Sequence, residues 1–251
     1  RGDVYKRQVF MGTTEFAVPI LVTLIINSEV VLVVTEPHIY VGIKKVLTFS
    51  PIKEKALEHH IPIFQPIKIR EDYEEIKKYQ PDLIVTCAYG QIVPQGVLDI
   101  PRLGCINVHA SLLPKYRGGA PIQRAIMNGE EETGITIMYM DAGMDTGDMI
   151  EAVRVPITSE DNSQTLSDKL SVAGAELLER VLPQIFDGTS KREKQKEEEA
   201  TYARIIKRED EHLDFTKKAV EVYNQVRALA PTPLANFLLN REEVKVAEGY
   251  I

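Results

Sequence analysis

The sequence VFMGTTEFAVPILVTLIINSEVVLVVT, residues 9–35, indicates the fold. An apolar run at Val9–Met11 closes at Gly12, a helical pattern follows at Ala17–Ile26 with Pro19 near its start, and Glu29–Thr35 is almost entirely Val and Leu. Continuous apolar strands separated by helices are typical of parallel sheets with helices on both faces. The sequence therefore predicts an α/β fold with a doubly wound, mostly parallel, Rossmann-like sheet.

The same alternation continues along the chain. Hydrophobic spacing predicts helices at residues 52–59, 72–78, 122–127 and 165–186, and strands at residues 82–88, 105–109, 134–140 and 149–155. Ligands of such sheets bind beyond the carboxyl ends of the strands, where Cys87–Gly90 and Asn107–His109 are expected to lie. Functional residues are therefore expected at this edge.

A change of composition after the longest predicted helix suggests a boundary. Residues 191–199 carry many charges and no apolar period, which is typical of a solvated linker. Beyond it, a helix is predicted at Ala219–Ala228 and strands at Ala235–Leu239 and Val244–Ala247. We therefore expect a catalytic domain at residues 9–190, a linker at 191–206 and a second domain at 207–251.

Overall composition excludes several classes of protein. The 251 residues carry a formal charge of −7 and a pI of about 5.4, so any contact with nucleic acid needs a local basic patch. Cys87 and Cys105 lie in apolar runs, which predicts reduced core thiols, and no His or Cys spacing suits zinc. A G-x-G-x-x-G motif, a signal peptide and a membrane-length apolar run are all absent, so a cytoplasmic location is expected.

Three polar residues in two motifs suggest acyl transfer. Asn107 and His109 are two apart, so on a strand their side chains leave the same face. Asp145 stands between Gly143 and Gly147, in a turn that could aim its carboxylate at the imidazole. An amide donor and an imidazole could then stabilise one oxyanion. The plainer interpretation makes each of them a turn or strand-end residue.

The surrounding residues carry a resemblance to a known family. Residues 104–119, GCINVHASLLPKYRGG, and 140–148, MDAGMDTGD, resemble the folate-dependent formyltransferases, with further likeness at residues 9–13, 50–53 and 120–124. The resemblance implies catalytic roles for Asn107, His109 and Asp145, with 10-formyltetrahydrofolate as the formyl donor and no metal. Residues 200–203 and 224–229 favour the branch of the family that formylates methionyl initiator tRNA.

The resemblance also implies binding residues. A folate-associated loop would comprise Ser111, Leu112, Leu113 and Pro114, and a pterin pocket would be lined by Tyr89, Gly90, Gln91, Ile92 and Asp141. Contact with tRNA is expected from Lys44, Lys45 and Arg117, in a protein expected to be a monomer without membrane association. The loop at residues 35–47 is less basic than in the family, so a merely solvated loop is the alternative there.

The two ends of the chain depart from the family pattern. Residues 1–8 do not match its opening and are taken as a foreign segment, and residues 207–251 would form an incomplete small β-barrel of the OB type. Two alternatives therefore stay open. One is a formyltransferase for another amine, such as glycinamide ribonucleotide or a sugar nucleotide, and the other is an inactive fragment that binds folate or tRNA.

Overall fold

The computed structural model describes residues 6–41 and 46–251. Its first nine strands are β1 (Arg7–Gly12), β2 (Glu29–Val34), β3 (Ile39–Val41), β4 (Val46–Thr48), β5 (Ile63–Phe64), β6 (Leu83–Cys87), β7 (Cys105–His109), β8 (Glu132–Tyr139) and β9 (Met149–Pro156). Seven of them form one sheet in the order β5-β2-β1-β6-β7-β8-β9, and β3 and β4 form a separate antiparallel pair.

The central sheet is mostly parallel, as predicted. Strands β5, β2, β1, β6 and β7 run in the same direction, and β8 pairs with β7 in the opposite direction. In parallel strands the carboxyl ends meet at one edge of the sheet. Cys87 and His109 end β6 and β7, so the residues that follow β6 and the polar end of β7 share that edge.

The helices largely follow the predicted hydrophobic pattern. They are α1 (Val18–Asn27), α2 (Pro51–Glu58), α3 (Glu74–Lys78), α4 (Gln95–Leu98), α5 (Pro121–Met127), α6 (Ser163–Asp187) and α7 (Ala219–Ala228). Helix α2 begins at a proline because Pro needs no amide partner there, and the Ser50 hydroxyl accepts from the Lys53 amide at 3.0 Å.

The first strand begins earlier than expected. Arg7 and Gln8, which the sequence analysis excluded as foreign, pair with Glu29 and Val30 of β2, and Gln8 is fully buried. The strand therefore begins two residues before the predicted Val9, because the polar side chains of Arg7 and Gln8 hide the strand pattern. Residues 1–5 lie outside the described part of the chain.

The chain divides into two compact units. Unit 1 comprises Arg1–His109, Thr136–Glu151 and Ser171–Lys194, and unit 2 comprises Ala110–Ile135, Ala152–Leu170 and Gln195–Ile251. In unit 1 the side chains of β1, β2 and β6 pack into a core that includes Val9, Leu32 and Ile84.

Unit 2 has a smaller apolar cluster of its own. It is formed by Val226, Leu229 and Ala235, with Met127 and Leu213 packed against it. Its last two strands, β10 (Ala235–Leu239) and β11 (Glu242–Val246), pair antiparallel, so the expected strands of the second domain are present as a hairpin.

Both cysteines lie in unit 1 as free, buried thiols, in agreement with the sequence analysis. Burial raises the pKa of Cys105 to about 12, with a smaller contribution from Asp99, and burial also raises the pKa of Cys87. Within residues 6–41 and 46–251, none of the helices has the length and apolar character needed to cross a membrane.

Candidate active site

Strand β7 presents Asn107 and His109 at the edge where ligands are expected. Asn107 is half-buried and His109 is 6% exposed. Asn107 stands beside Thr86 of β6 and Met138 of β8, and His109 stands beside Thr136 of β8. Because alternate residues of a strand share a face, the carboxamide and the imidazole lie on the same side of the sheet.

A hydroxyl group on the neighbouring strand orients Asn107. The Thr86 hydroxyl is 2.8 Å from Asn107 Oδ1 and donates to it. The carboxamide oxygen therefore accepts a hydrogen bond from within the protein. Within the residues that the structure describes, the hydrogen bond of the Asn107 carboxamide is made through its oxygen, and its NH₂ group could donate up to two hydrogen bonds.

The turn after β8 brings Asp145 to His109. Asp145 Oδ2 lies 3.7 Å from His109 Nδ1, and the two side chains are 17% and 7% exposed. At this distance the two groups form an ion pair only when the imidazole is protonated, and catalytic contacts in ligand-free sites are often long. Two of the predicted catalytic side chains therefore meet, although they come from separate motifs.

The turn has a backbone that few sequences could adopt. Asp145 has a φ of 56°, in the left-handed region that Asp tolerates better than most residues. Asp141 Oδ1 accepts hydrogen bonds from the Gly143 amide at 2.9 Å and the Thr146 hydroxyl at 2.5 Å. A Cβ at Gly147 would lie only 1.6 Å from the Tyr139 carbonyl oxygen. The side chain of Asp141, predicted to bind pterin, thus has a described role in shaping the turn.

The residues predicted to line the pterin pocket follow β6. Gln91 uses its whole carboxamide within unit 1: its oxygen accepts from the Ile69 amide at 2.8 Å, and its NH₂ donates to Glu36 Oε2 at 2.8 Å and to the Ile67 carbonyl at 2.9 Å. Gly90 has a φ of 105°, and a Cβ there would lie 2.7 Å from Glu36 Oε1.

Tyr89 and Ile92, on either side of Gly90 and Gln91, differ in exposure. The Tyr89 side chain is 4% exposed, and burial raises its pKa, with a smaller contribution from Glu36, whereas Ile92 is 87% exposed. An exposed isoleucine beside a braced loop is compatible with an apolar ligand contact. The binding roles of all four residues, and of Asp141, stay predictions.

The loop predicted to contact folate lies in unit 2. Ser111 is fully buried and donates to the Lys115 carbonyl at 2.6 Å, so its hydroxyl closes the loop on itself. Leu113 and Pro114 are buried and Leu112 is half-buried. Within this unit the loop is therefore well packed, and its contact with folate stays a prediction.

Arg117, predicted to contact tRNA, is almost completely enclosed. Its side chain is 1% exposed, and its guanidinium donates to Glu197 at 2.7 and 3.0 Å and to Gln195 Oε1 at 2.9 and 3.1 Å. These contacts favour a structural role over a phosphate contact. The other two predicted tRNA contacts, Lys44 and Lys45, lie outside the described residues.

Three residues that contact the predicted site residues, Thr86, Gln195 and Glu197, were not predicted from the sequence. Thr86 lies within an apolar run and has the usual β-branched shape of a strand residue, so nothing local marks its hydroxyl. Gln195 and Glu197 belong to a charge run that was interpreted as a solvated linker, whereas they bind Arg117. The local signal is the position of Arg117 within a motif loop. Because arginine is almost never fully buried unless it is paired, an arginine there could have indicated a buried partner.

The fold and the His109–Asp145 pair are accompanied by matches to two family profiles. The formyl transferase family profile matches residues 6–182, and the profile of the formyl transferase C-terminal domain matches residues 205–251. The chain belongs to the formyl transferase family. The group-transfer chemistry predicted from Asn107, His109 and Asp145 is that of this family.

Two methionyl-tRNA formyltransferases are similar to this chain, one in sequence and one in fold. The methionyl-tRNA formyltransferase of Bacillus subtilis (strain 168) is 55% identical over 243 residues, which are 96% of this chain and 77% of that protein. The solved methionyl-tRNA formyltransferase of Clostridium thermocellum has a TM-score of 0.66 at 18% identity, covering 98% of this chain and 93% of that one.

A second solved structure shares the fold with another kind of formyl transferase. It is an N-formyltransferase from Helicobacter canadensis in complex with folinic acid and dTDP-3-aminofucose, with a TM-score of 0.73 at 23% identity. The match covers 96% of this chain and 86% of that one. At these identities, both structures support the fold alone.

Proposed function

We propose that this chain transfers the formyl group of 10-formyltetrahydrofolate to the α-amino group of methionyl initiator tRNA. The observation that carries the proposal is the 55% identity to a methionyl-tRNA formyltransferase over 96% of the chain. The convergence of His109 and Asp145 beside Asn107 supports it, because formyl transfer needs a stabilised oxyanion and a controlled proton.

The reaction passes through a tetrahedral centre. The neutral amine attacks the formyl carbon and forms a C–N bond, while the carbonyl electron pair moves to oxygen. When that pair returns, the bond from carbon to the folate nitrogen breaks, and this nitrogen takes a proton as the amine loses one. The products are a formamide and tetrahydrofolate, and no covalent bond to the protein is required.

Each of the three residues has a role in this scheme. The NH₂ group of Asn107 and a protonated His109 donate to the developing oxyanion, which they stabilise more than the neutral carbonyl. His109 can also give a proton to the departing nitrogen. Asp145, 3.7 Å from His109 Nδ1, places a carboxylate beside the imidazole while it carries the transferred proton. We assign Asn107 and His109 as catalytic residues and Asp145 as their electrostatic partner.

Folate and tRNA contacts complete the proposal. We propose that Tyr89–Ile92 and Asp141 contact the pterin, that Ser111–Pro114 contact folate, and that Lys44 and Lys45 meet tRNA phosphates as point charges. Formylation of an initiator tRNA belongs where translation begins, so we infer a cytoplasmic location.

The test is transfer of labelled formyl from 10-formyltetrahydrofolate by the 251-residue chain. We expect formylation of methionyl initiator tRNA, much slower formylation of methionyl elongator tRNA, and none of dTDP-3-aminofucose or glycinamide ribonucleotide. Transfer to one of the small amines without transfer to tRNA would overturn the choice of substrate. Folate binding without any turnover would instead support an inactive binding fragment.

A further inference from the structure

We propose that Thr86 is a positioning residue, whose hydroxyl holds the Asn107 carboxamide with its NH₂ group toward the reacting formyl oxygen. The inference rests on the proposed function, because it concerns how Asn107 meets the oxyanion. It adds a residue that does not touch the substrate and that no sequence motif marks.

The geometry around the hydroxyl is specific. Thr86 is 2% exposed and stands directly beside Asn107 in the parallel pairing of β6 with β7. Its Oγ1 lies 2.8 Å from Asn107 Oδ1, 3.1 Å from the Ile106 carbonyl oxygen and 3.2 Å from the Met140 sulfur. A hydroxyl has one proton, and the carboxamide oxygen is the closest of the three acceptors.

Orientation matters because a carboxamide is asymmetric. Rotation of the Asn107 side chain by half a turn about its last bond would exchange its oxygen and its NH₂ group. An oxygen presented to the developing oxyanion would repel it, whereas the NH₂ group donates a hydrogen bond that strengthens in the transition state. The Thr86 proton on Oδ1 favours the productive orientation.

Packing alone does not require a hydroxyl at this position. Valine has nearly the same shape as threonine, is equally suited to a strand, and avoids the cost of burying a polar group. The hydroxyl of Thr86 therefore has a stability cost that valine would not have, and its bond to Asn107 offsets that cost. The hydrogen bond to the carboxamide is therefore what a hydroxyl adds at this position.

The test compares Thr86→Val, Thr86→Ser and wild type with methionyl initiator tRNA and 10-formyltetrahydrofolate. We expect Thr86→Val to lower kcat about tenfold, less than the 10²–10³-fold typical when an oxyanion donor is removed entirely. KM for both substrates should change less than about twofold, because the interaction matters mainly in the transition state. Thr86→Ser, which keeps the hydroxyl, should restore kcat to within about threefold of wild type.

A matched control removes another buried hydroxyl of unit 1. Ser171 is 5% exposed and donates to the Phe16 carbonyl at 2.8 Å, apart from the proposed catalytic residues, so Ser171→Ala should leave kcat unchanged. Thermal unfolding of all variants identifies any loss that is due only to stability.

Three results would overturn the inference. They are a wild-type kcat in Thr86→Val, a Thr86→Ser variant as slow as Thr86→Val, and an equal loss from Thr86→Val when Asn107→Ala is already present, since residues that act as a unit are not additive. Failure of the proposed function is a different outcome, because wild type itself would then not formylate methionyl initiator tRNA.

Discussion

Two pairs of a nitrogen base and a carboxylate, His109 with Asp145 and Arg117 with Glu197, differ in distance and in hydrogen bonding. His109 and Asp145 belong to unit 1, and Asp145 Oδ2 lies 3.7 Å from His109 Nδ1. Arg117 and Glu197 belong to unit 2, approach to 2.7 Å, and are joined by Gln195, so that the guanidinium makes four hydrogen bonds.

The difference between the two pairs separates a catalytic role from a structural role. A guanidinium keeps its proton throughout the physiological pH range, and one that is buried must be satisfied on all sides, which fixes the loop that carries it. An imidazole can gain and lose a proton near neutral pH, which suits it to proton transfer. The pair that contains the imidazole is therefore suited to catalysis, and the pair that contains the guanidinium is suited to support.

The largest effect is expected from His109. His109→Asn should lower kcat by about 10³-fold or more, since general acid catalysis is typically worth 10²–10⁴ and an oxyanion contact is lost with it. The melting temperature should stay within a few degrees of wild type. Labelled formyl transfer and thermal unfolding measure the two effects, and turnover near the wild-type rate would refute the proposed role.

A smaller loss is expected from the partner of His109. Asp145→Asn keeps the shape of the turn residue but removes the carboxylate beside the imidazole, which would stabilise positive charge on His109 during transfer, so kcat should fall by about 10²-fold. Labelled formyl transfer measures this loss. An unchanged rate would show that Asp145 only shapes the turn.

Arg117 should show the opposite balance of effects. Arg117→Ala removes a side chain with four hydrogen bonds and leaves a cavity, so the melting temperature should fall by about 5–10 °C, at about 2–4 °C per kcal/mol for a chain of this size. The rate under saturating substrates should fall far less than in His109→Asn. A raised KM for tRNA with an unchanged melting temperature would instead support the predicted phosphate contact.

The smallest effect concerns acid stability. The hydrogen bond from Arg117 holds the pKa of Glu197 below its ordinary value of 4.5. The stabilisation is therefore present above that value and is lost as pH falls through the lowered pKa of the folded state. Glu197→Gln should be less stable than wild type at neutral pH, and the gap should narrow below about pH 4.5.

Acid unfolding followed by circular dichroism measures this gap. The Glu197 side chain is 69% exposed, so solvent weakens the charge term and the change should be modest. A gap that is constant from neutral to acid pH would show that the charge of Glu197 does not contribute.

The contrast between these two pairs also shows what local sequence could predict. The alternation of Asn107 and His109 and the Gly-flanked turn at Asp145 are local signals, so the sequence located both motifs, and the sheet brought His109 and Asp145 together. The long helix at residues 163–187 followed its apolar period to within two residues of the predicted bounds. Such features depend on neighbours along the chain.

Features that depend on distant partners were missed. Strand β5 has two residues, too few for a pattern, and it exists because β2 pairs with it. Gln195 and Glu197 belong to a run that the sequence indicates as a solvated linker, and only the fold shows that they bind Arg117. The orientation of Asn107 likewise depends on Thr86, which belongs to a strand that is adjacent only in the folded sheet.

The two buried thiols give the molecule a built-in reporter of unfolding. Cys87 is completely inaccessible and Cys105 is 2% exposed, and their raised pKa values keep the reactive thiolate scarce. An alkylating reagent added at neutral pH can therefore modify them only when β6 or β7 opens. The rate of labelling, read by mass spectrometry, would report how often the strands that carry Thr86 and Asn107 separate, and a folate that binds this edge would slow it.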